Sequence, residues 1–376
     1  MKKFWQIGWR LALCALLLLW IFHSIFVNEA RIAHRAEWDQ LSRVERWKLG
    51  WQEGPSALVR TVASVHKGLF ALSLVLMAST LVLGVIRWRM VLAVQGIRLP
   101  FGRAAEISLV AHFFNSFLLG STGGDLMKAY YAARETHHKK TEAVTTVFVD
   151  RLVGLWAMLL FAGAMMIPNA KALFAGDRVT RFAVLLILAM LVICSIVLAL
   201  AFRGGLSKHW PGARAWLRRL PKGEYFERSL DACRRFGSER NFLLRTLAVS
   251  MLLNVMCVVQ WQIVGVGLGL SIPALTMFSV VPVVICIAAL PITPSGLGVR
   301  ENLFVHMLAD STLATSGLSL SLLAYAGSLF WSLVGGGVYL LLKEKHHLAE
   351  SELSGKGDIP ESTSVTECRN DGKRRP

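Results

Sequence analysis

The most prominent pattern along the chain is a series of long apolar runs separated by polar segments. Each run approaches the roughly 20 residues that an α-helix needs to cross the hydrocarbon core of a bilayer. The six runs are Leu11–Val27, Gly68–Ile86, Val144–Ile167, Phe182–Phe202, Leu247–Leu270 and Gly317–Leu342. They predict an all-α polytopic membrane protein with about six full spans, and they exclude soluble and nucleic-acid-binding proteins.

Two further segments are apolar but are broken by residues that interrupt helices. Ala104–Leu119 is short and is followed by Gly123 and Gly124. Ile272–Leu290 is followed by a stretch rich in proline and glycine, and then by the short apolar piece Leu303–Ala309. Glycine and proline both destabilise helix interiors, so neither segment fits a continuous span. We therefore expect two re-entrant hairpins, which bring the total to eight membrane segments.

The distribution of charge sets the expected topology. The formal net charge is +17, and eleven Lys and Arg residues lie between Phe202 and Thr246 against four acids. We expect a second basic loop between Ile86 and Ala104. Short basic loops stay in the cytoplasm. The N-terminus and C-terminus are then cytoplasmic, the membrane is the bacterial inner membrane, and the two hairpins enter from opposite faces.

Oppositely oriented broken segments are the sequence sign of transporters built from inverted repeats. The two tips are only loosely alike in sequence, so an inverted repeat and two independent hairpins both stay open. We expect four parts: an N-terminal span at 1–27, an extracytoplasmic interfacial loop at 28–67, the main membrane domain at 68–342 and a disordered cytoplasmic tail at 343–376. Trp38, Trp47 and Trp51 favour a helix on the membrane surface within the second part.

Functional chemistry is expected at the tips of the two hairpins. Irregular backbone at membrane depth must line protein or a water-filled cavity, and each tip leads into a helix N-terminus that attracts anions. Lys128, Arg151 and Arg300 add positive charge there, so the combination suits a phosphate group. Polar or backbone-breaking residues complete the predicted substrate-binding site: Asn115, Gly123, Gly124, Pro291, Ser295, Gly296 and Gly298.

Three carboxylates accompany these bases, namely Asp125, Asp150 and Glu301. Ionisable residues within membrane segments are functional candidates by default, so all three belong to the predicted site. A structural alternative pairs Asp150 with Arg151 and Arg300 with Glu301 as neutral partners that hold helices together. Asp125 could also cap its own helix. These alternatives stay open.

The sequence contains no motif that indicates an enzyme or a metal site. A Walker lysine, a Gly-x-Ser-x-Gly and a His-Glu-x-x-His are all missing, and the six cysteines are scattered. We therefore expect no metal, no cofactor and no catalytic residue, and an ATP-driven pump is disfavoured.

The motifs around these residues resemble a known family, the flippase-like membrane proteins (UPF0104 type) related to the membrane region of lysylphosphatidylglycerol synthase. The resemblance covers roughly residues 68–342. It rests, in order, on Arg87-Trp88-Arg89, Phe113-Phe114-Asn115, Gly123-Gly124-Asp125, Asp150-Arg151-Leu152-Val153-Gly154-Leu155, Leu290-Pro291, Gly296-Leu297-Gly298-Val299-Arg300-Glu301 and Gly335-Gly336. Two positions depart from the family: Leu119-Gly120 replaces a proline, and Lys128 replaces an arginine.

The resemblance implies a protein that moves a lipid between leaflets. The chain extends about 34 residues beyond the last predicted span, so we expect no soluble aminoacyltransferase domain. Our leading hypothesis is a flippase for a phosphate-bearing lipid or a polyprenyl-linked glycan, with anionic lipid headgroups as further partners. One alternative is a scaffold for a synthase or glycosyltransferase. Another is a headgroup transferase that uses Asp125, Asp150 or Glu301 as a base.

Overall fold

The computed structural model describes residues 37–341, except for 118–121, 137–138, 177, 204–234, 238, 240, 291–295, 297–298 and 308–313, together with several positions between 19 and 34. Every regular element in this described part is helical. The α-helices are α1 (Arg43–Ser64), α2 (Lys67–Val94), α3 (Phe101–Phe117), α4 (Thr122–Arg134), α5 (Lys140–Met166), α6 (Ala170–Ala175), α7 (Arg178–Arg203), α8 (Phe242–Gly267), α9 (Ala274–Ala288), α10 (Val299–Met307) and α11 (Ala314–Leu341).

Five of these helices are long and apolar enough to cross a membrane: α2, α5, α7, α8 and α11. They coincide with five of the six apolar runs in the sequence. The remaining run, Leu11–Val27, lies almost wholly outside the described residues. The chain is therefore an all-α, multi-pass membrane protein.

The expected boundary of α2 is wrong. The sequence placed a basic loop directly after Ile86, but α2 continues to Val94. The helix continues because its cations find partners along it: the Nε of Arg87 donates to Asp150 over 2.8 Å, and the Nε of Arg89 donates to the carbonyl of Leu99 over 3.1 Å. Hydropathy alone predicts that the span ends before its first arginine, Arg87.

The first broken segment forms two antiparallel helices, α3 and α4. At their outer ends, Arg103 donates to Glu135 over 2.7 Å. At their inner ends, the backbone N–H of Gly124 donates to the side-chain oxygen of Asn115 over 2.8 Å. This is the arrangement that a re-entrant hairpin requires, and its re-entry into the membrane stays a prediction.

The expected role of the two glycines in this first tip is wrong. Gly123 and Gly124 are not irregular backbone but lie in the first turn of α4. A Cβ at Gly124 would overlap the carbonyl oxygen of Ala111 on α3. Its lack of a side chain therefore lets the two helices approach closely.

The second broken segment forms α9 and α10. Its tip contains a true backbone break, because Gly296 has a φ of +71°, a left-handed conformation that favours glycine. The outer end of α9 contacts Asn169, whose Nδ2 donates to the hydroxyl of Ser279 over 3.1 Å. The outer end of α10 accepts a hydrogen bond from Thr180 at the carbonyl of His306, over 3.5 Å.

The two helix pairs enter the bundle from opposite ends. Lys139, beside the outer end of the α3–α4 pair, precedes α5, whereas Asn169, beside the outer end of α9, follows it. The Nζ of Lys139 also donates to the carbonyl of Gln95 at the end of α2, over 3.0 Å. We call this end of the bundle, where Arg103, Lys139 and Arg245 lie, the basic end.

Candidate functional site

A cavity of about 320 Å³ lies where the inner ends of the two helix pairs meet. Asn115, near the end of α3, and Arg300, in the first turn of α10, both line it. Thr80 and Tyr325 line it from the middle of α2 and α11. The remaining lining residues are Met77, His112, Ser116, Cys257, Gln260, Trp261, Ile285, Ala288, Ala289, Ala324 and Ser328. Polar groups from both interrupted segments thus converge at mid-length of the long helices.

Arg300 is held in a defined orientation at the wall of this cavity. Its Nε donates to the hydroxyl of Ser321 over 2.7 Å, and its guanidinium carbon lies 4.8 Å from the ring centroid of Tyr325. Both partners lie on α11, about one helical turn apart. The hydrogen bond and the cation–π contact together position a desolvated positive charge.

The α3 side of the cavity is polar but uncharged. The Nε2 of His112 lies 3.3 Å from the carbonyl oxygen of Ser328, and the hydroxyl of Ser116 shares a hydrogen bond with that of Ser332. Asn115 supplies an amide at the same level, and its oxygen holds the start of α4. A few fixed polar groups in a largely apolar wall are typical of small-molecule sites.

A second group of polar residues, which we call the Asp150 cluster, lies closer to the basic end. Asp150 accepts hydrogen bonds from the Nε of Arg87 over 2.8 Å and from the Nζ of Lys128 over 3.2 Å. The Nη1 of Arg87 also donates to the hydroxyl of Ser250 over 3.3 Å. The three charged side chains are only 8% to 14% exposed. Along α2, Arg87 lies roughly 10 Å from Thr80, which lines the cavity.

The surroundings of the Asp150 cluster accommodate its two basic side chains. The Nζ of Lys128 lies 4.3 Å from the ring centroid of Trp88, which is fully buried. A Cβ at Gly154 would lie only 2.7 Å from the Nη1 of Arg87, so the absence of a side chain there makes room for the guanidinium. One carboxylate thus joins α2, α4 and α5, and Arg87 extends the cluster to Ser250 on α8.

The alternative in which Asp150 pairs with Arg151 does not hold, because Asp150 binds Arg87 and Lys128. Arg151 instead lies 3.3 Å from Asp125 at the start of α4, with the two side chains 46% and 27% exposed. Consecutive helical residues point about 100° apart, so Asp150 faces the interior while Arg151 faces the edge of α4. Asp150 also lies well inside α5, which begins at Lys140.

The predicted site residues therefore separate into the cavity, the Asp150 cluster and the Asp125–Arg151 pair. Asn115 and Arg300 reach the cavity, whereas Lys128 and Asp150 meet in the cluster nearer the basic end. Gly296 is buried against Ala288 beside the cavity. Pro291, Ser295 and Gly298 lie outside the described residues, as does the side chain of Glu301.

Sequence reasoning missed Arg87, Gln260, Ser321 and Tyr325 as members of these groups. Two of them carried a usable signal, because Arg87 directly follows an apolar run and Gln260 interrupts one. Ser321 and Tyr325 gave no such signal, because hydroxyl-bearing residues are ordinary in α11. In the described part of the chain, no group of three or more His, Cys, Asp or Glu residues could hold a metal ion.

Comparison with known proteins gives two matches. The profile of the family described as the lysylphosphatidylglycerol synthase TM region matches residues 47–342. The chain is also similar to a protein of Methanothermobacter thermautotrophicus called a UPF0104 membrane protein. The two are 23% identical over 69% of this chain and 79% of the relative.

Proposed function

The chain belongs to the family of lysylphosphatidylglycerol synthase transmembrane regions, and from this premise we propose that it moves a phosphate-bearing lipid or a polyprenyl-linked glycan between the two leaflets of an inner membrane. The headgroup occupies the cavity between the α3–α4 and α9–α10 helix pairs. The hydrocarbon tails stay in the bilayer.

The position of the cavity is the observation that carries this proposal. A polar headgroup pays a large desolvation penalty in hydrocarbon, so a transporter must offer it polar contacts at mid-depth. The cavity offers them, because Thr80 and Tyr325 lie at the middle of two long apolar helices. Its volume of about 320 Å³ is at the lower end of the ~300–1,000 Å³ range of ligand sites, which suits a headgroup.

Arg300 is the proposed phosphate contact. A guanidinium binds phosphate through parallel hydrogen bonds. The attraction between the two groups is stronger where water is excluded. Asn115 contributes an amide from the opposite helix pair. The remaining predicted residues form the proposed wider site: Gly123, Gly124, Asp125, Lys128, Asp150, Arg151, Pro291, Ser295, Gly296, Gly298 and Glu301.

The orientation in the membrane follows from the positive-inside rule. Arg103, Lys139 and Arg245 favour a cytoplasmic location of the basic end, where they would also meet anionic headgroups. Both termini are then cytoplasmic. Reporter fusions test this orientation: a fusion after Val94 must report the cytoplasm, and a fusion after Ile167 must report the opposite side of the membrane.

The test of function is lipid movement in proteoliposomes. The purified protein is reconstituted with a fluorescent phosphatidylglycerol, and dithionite quenching from outside reports exchange between leaflets. We expect wild type to accelerate exchange, Arg300→Gln to lose most of the acceleration, and Arg181→Gln, on the exposed side of α7, to retain it. Equal rates for wild type and Arg300→Gln contradict the site.

The same material separates transport from headgroup chemistry. Mass spectrometry of the lipids after the assay must find the probe unmodified if the protein only moves it. A new lipid species would instead support the transferase alternative.

A further inference from the structure

The Asp150 cluster holds more positive than negative charge. Arg87 and Lys128 share the carboxylate of Asp150, and the carboxylate of Asp125 near Lys128 is paired with Arg151. All three side chains are largely buried, with exposures of 14%, 12% and 8%. Buried charge is costly unless it is paired, so a surplus cation favours an anion as an additional partner.

The donors of the cluster converge in a way that suits a phosphate. The Nε of Arg87 and the Nζ of Lys128 both point at the carboxylate of Asp150, over 2.8 and 3.2 Å, while the Nη1 of Arg87 donates to the hydroxyl of Ser250 over 3.3 Å. A planar guanidinium and an ammonium are common phosphate ligands. In the structure, the carboxylate of Asp150 lies where the phosphate would bind.

The cluster also lies along α2 and α8 between the basic end and the cavity. Arg87 is about two turns beyond Thr80 on α2, and Ser250 is about two turns before Cys257 on α8. Thr80 and Cys257 both line the cavity. A headgroup that travels along these helices from the basic end to the cavity would therefore reach these cations before it reaches Arg300.

We propose that the Asp150 cluster is a second binding station for the phosphate of the lipid headgroup. In the free protein the carboxylate of Asp150 holds Arg87 and Lys128 in place, and the arriving phosphate replaces it. Arg87 and Lys128 then bind the phosphate before it reaches Arg300, while Ser250 still accepts a hydrogen bond from Arg87. This inference rests on the proposed function for the direction of travel, whereas the binding site itself can be tested alone.

The experiment is calorimetric titration of the full-length protein in detergent with dihexanoylphosphatidylglycerol, and with uncharged dihexanoylglycerol as the control probe. We expect Lys128→Gln to weaken binding of the phosphate-bearing probe about tenfold, because it removes one charge-assisted hydrogen bond. This variant leaves a matched Arg87–Asp150 pair, so it keeps the fold. Arg181→Gln, at an exposed position of α7 outside the cluster, must bind as wild type does.

The decisive variant is Asp150→Asn, which removes the competing carboxylate. If phosphate must displace the carboxylate in wild type, this variant should bind the probe about tenfold more tightly than wild type. A purely structural cluster predicts equal or weaker binding. Thermal unfolding of each variant is recorded, and if Asp150→Asn does not fold, Lys128→Gln decides.

The inference is overturned if wild type does not bind the probe, if Lys128→Gln binds as well as wild type, or if folded Asp150→Asn binds no more tightly. These results are independent of lipid movement. If Arg300→Gln loses lipid exchange but Lys128→Gln binds the probe as well as wild type does, only the second binding station is rejected. Binding that depends on Lys128 without any exchange by wild type rejects only the proposed function.

Discussion

The Nε of Arg87 on α2 donates a hydrogen bond to Oδ1 of Asp150 on α5 over 2.8 Å, although 63 residues separate them in the chain. Lys128 reaches the other oxygen of the same carboxylate over 3.2 Å. One carboxylate therefore connects three helices, and Ser250 extends the connection to a fourth through Arg87.

Asp150→Ala should destabilise the protein strongly. Removal of this carboxylate leaves two buried cations facing each other, and breaking a buried pair costs about 3–5 kcal/mol. The free energy of unfolding in mixed micelles measures the effect. Asp39→Ala, at an exposed position before α1, should change it by less than about 0.5 kcal/mol. Similar small changes for both variants would show that the carboxylate does not hold the bundle together.

Gly154→Ala tests the space that Arg87 requires. The new Cβ would lie 2.7 Å from the Nη1 of Arg87, so the guanidinium must move away from Asp150, and overpacking of this kind costs about 1–3 kcal/mol. Gly84→Ala is the matched control inside a helix. A Cβ there would meet no heavy atom of the described chain within 4 Å, and the variant should gain up to about 1 kcal/mol. The order of the two thermal midpoints checks the prediction, and a reversed order would refute it.

Gly296→Ala tests the break in the second tip. Its φ of +71° disfavours any side chain, and its Cβ would lie 2.7 Å from the Cβ of Ala288. Gly269 has a similar φ of +74° without close neighbours in the described chain, so Gly269→Ala carries only the backbone cost of about 1–2 kcal/mol. Gly296→Ala should lose about 1–3 kcal/mol more than this control and should slow lipid exchange. Equal losses would mean that the tip has room for a side chain.

Arg300→Lys separates the charge of Arg300 from its geometry. Lysine keeps the positive charge but lacks the planar fork and the Nε that donates to Ser321. We expect lipid exchange to fall about tenfold, which corresponds to one lost charge-assisted hydrogen bond. Ser321→Ala should show a smaller loss, and Arg181→Lys none. Full activity of Arg300→Lys would show that a point charge is sufficient at the cavity.

The prediction from sequence was most accurate where the signal is local. The run Leu247–Leu270 corresponds to α8, and Phe182–Phe202 corresponds to α7, because length and hydropathy alone decide whether a segment can cross hydrocarbon. It was least accurate at span ends. The end of α2 lies at Val94 and not at Ile86, because a distant carboxylate satisfies Arg87 within the helix.

The candidate site was only partly predictable for the same reason. Asn115 and Arg300 were recognisable as polar residues beside helix breaks, and both line the cavity. Their partners on α11, Ser321 and Tyr325, were not recognisable, because their role depends on how that helix packs against α10. The glycine pair of the first tip was located correctly, but its function in close helix packing was not foreseen.

The sequence by itself determined that this protein is helical, that it spans the membrane several times and that two segments are interrupted. These properties depend on the hydropathy and backbone preferences of neighbouring residues. Only the tertiary structure decided that the interrupted segments meet at one cavity, and that Asp150 pairs with Arg87 and Lys128 instead of its neighbour Arg151. Ion pairs and cavities form between residues far apart in the chain, and their partners depend on helix packing and rotation, which local patterns do not specify.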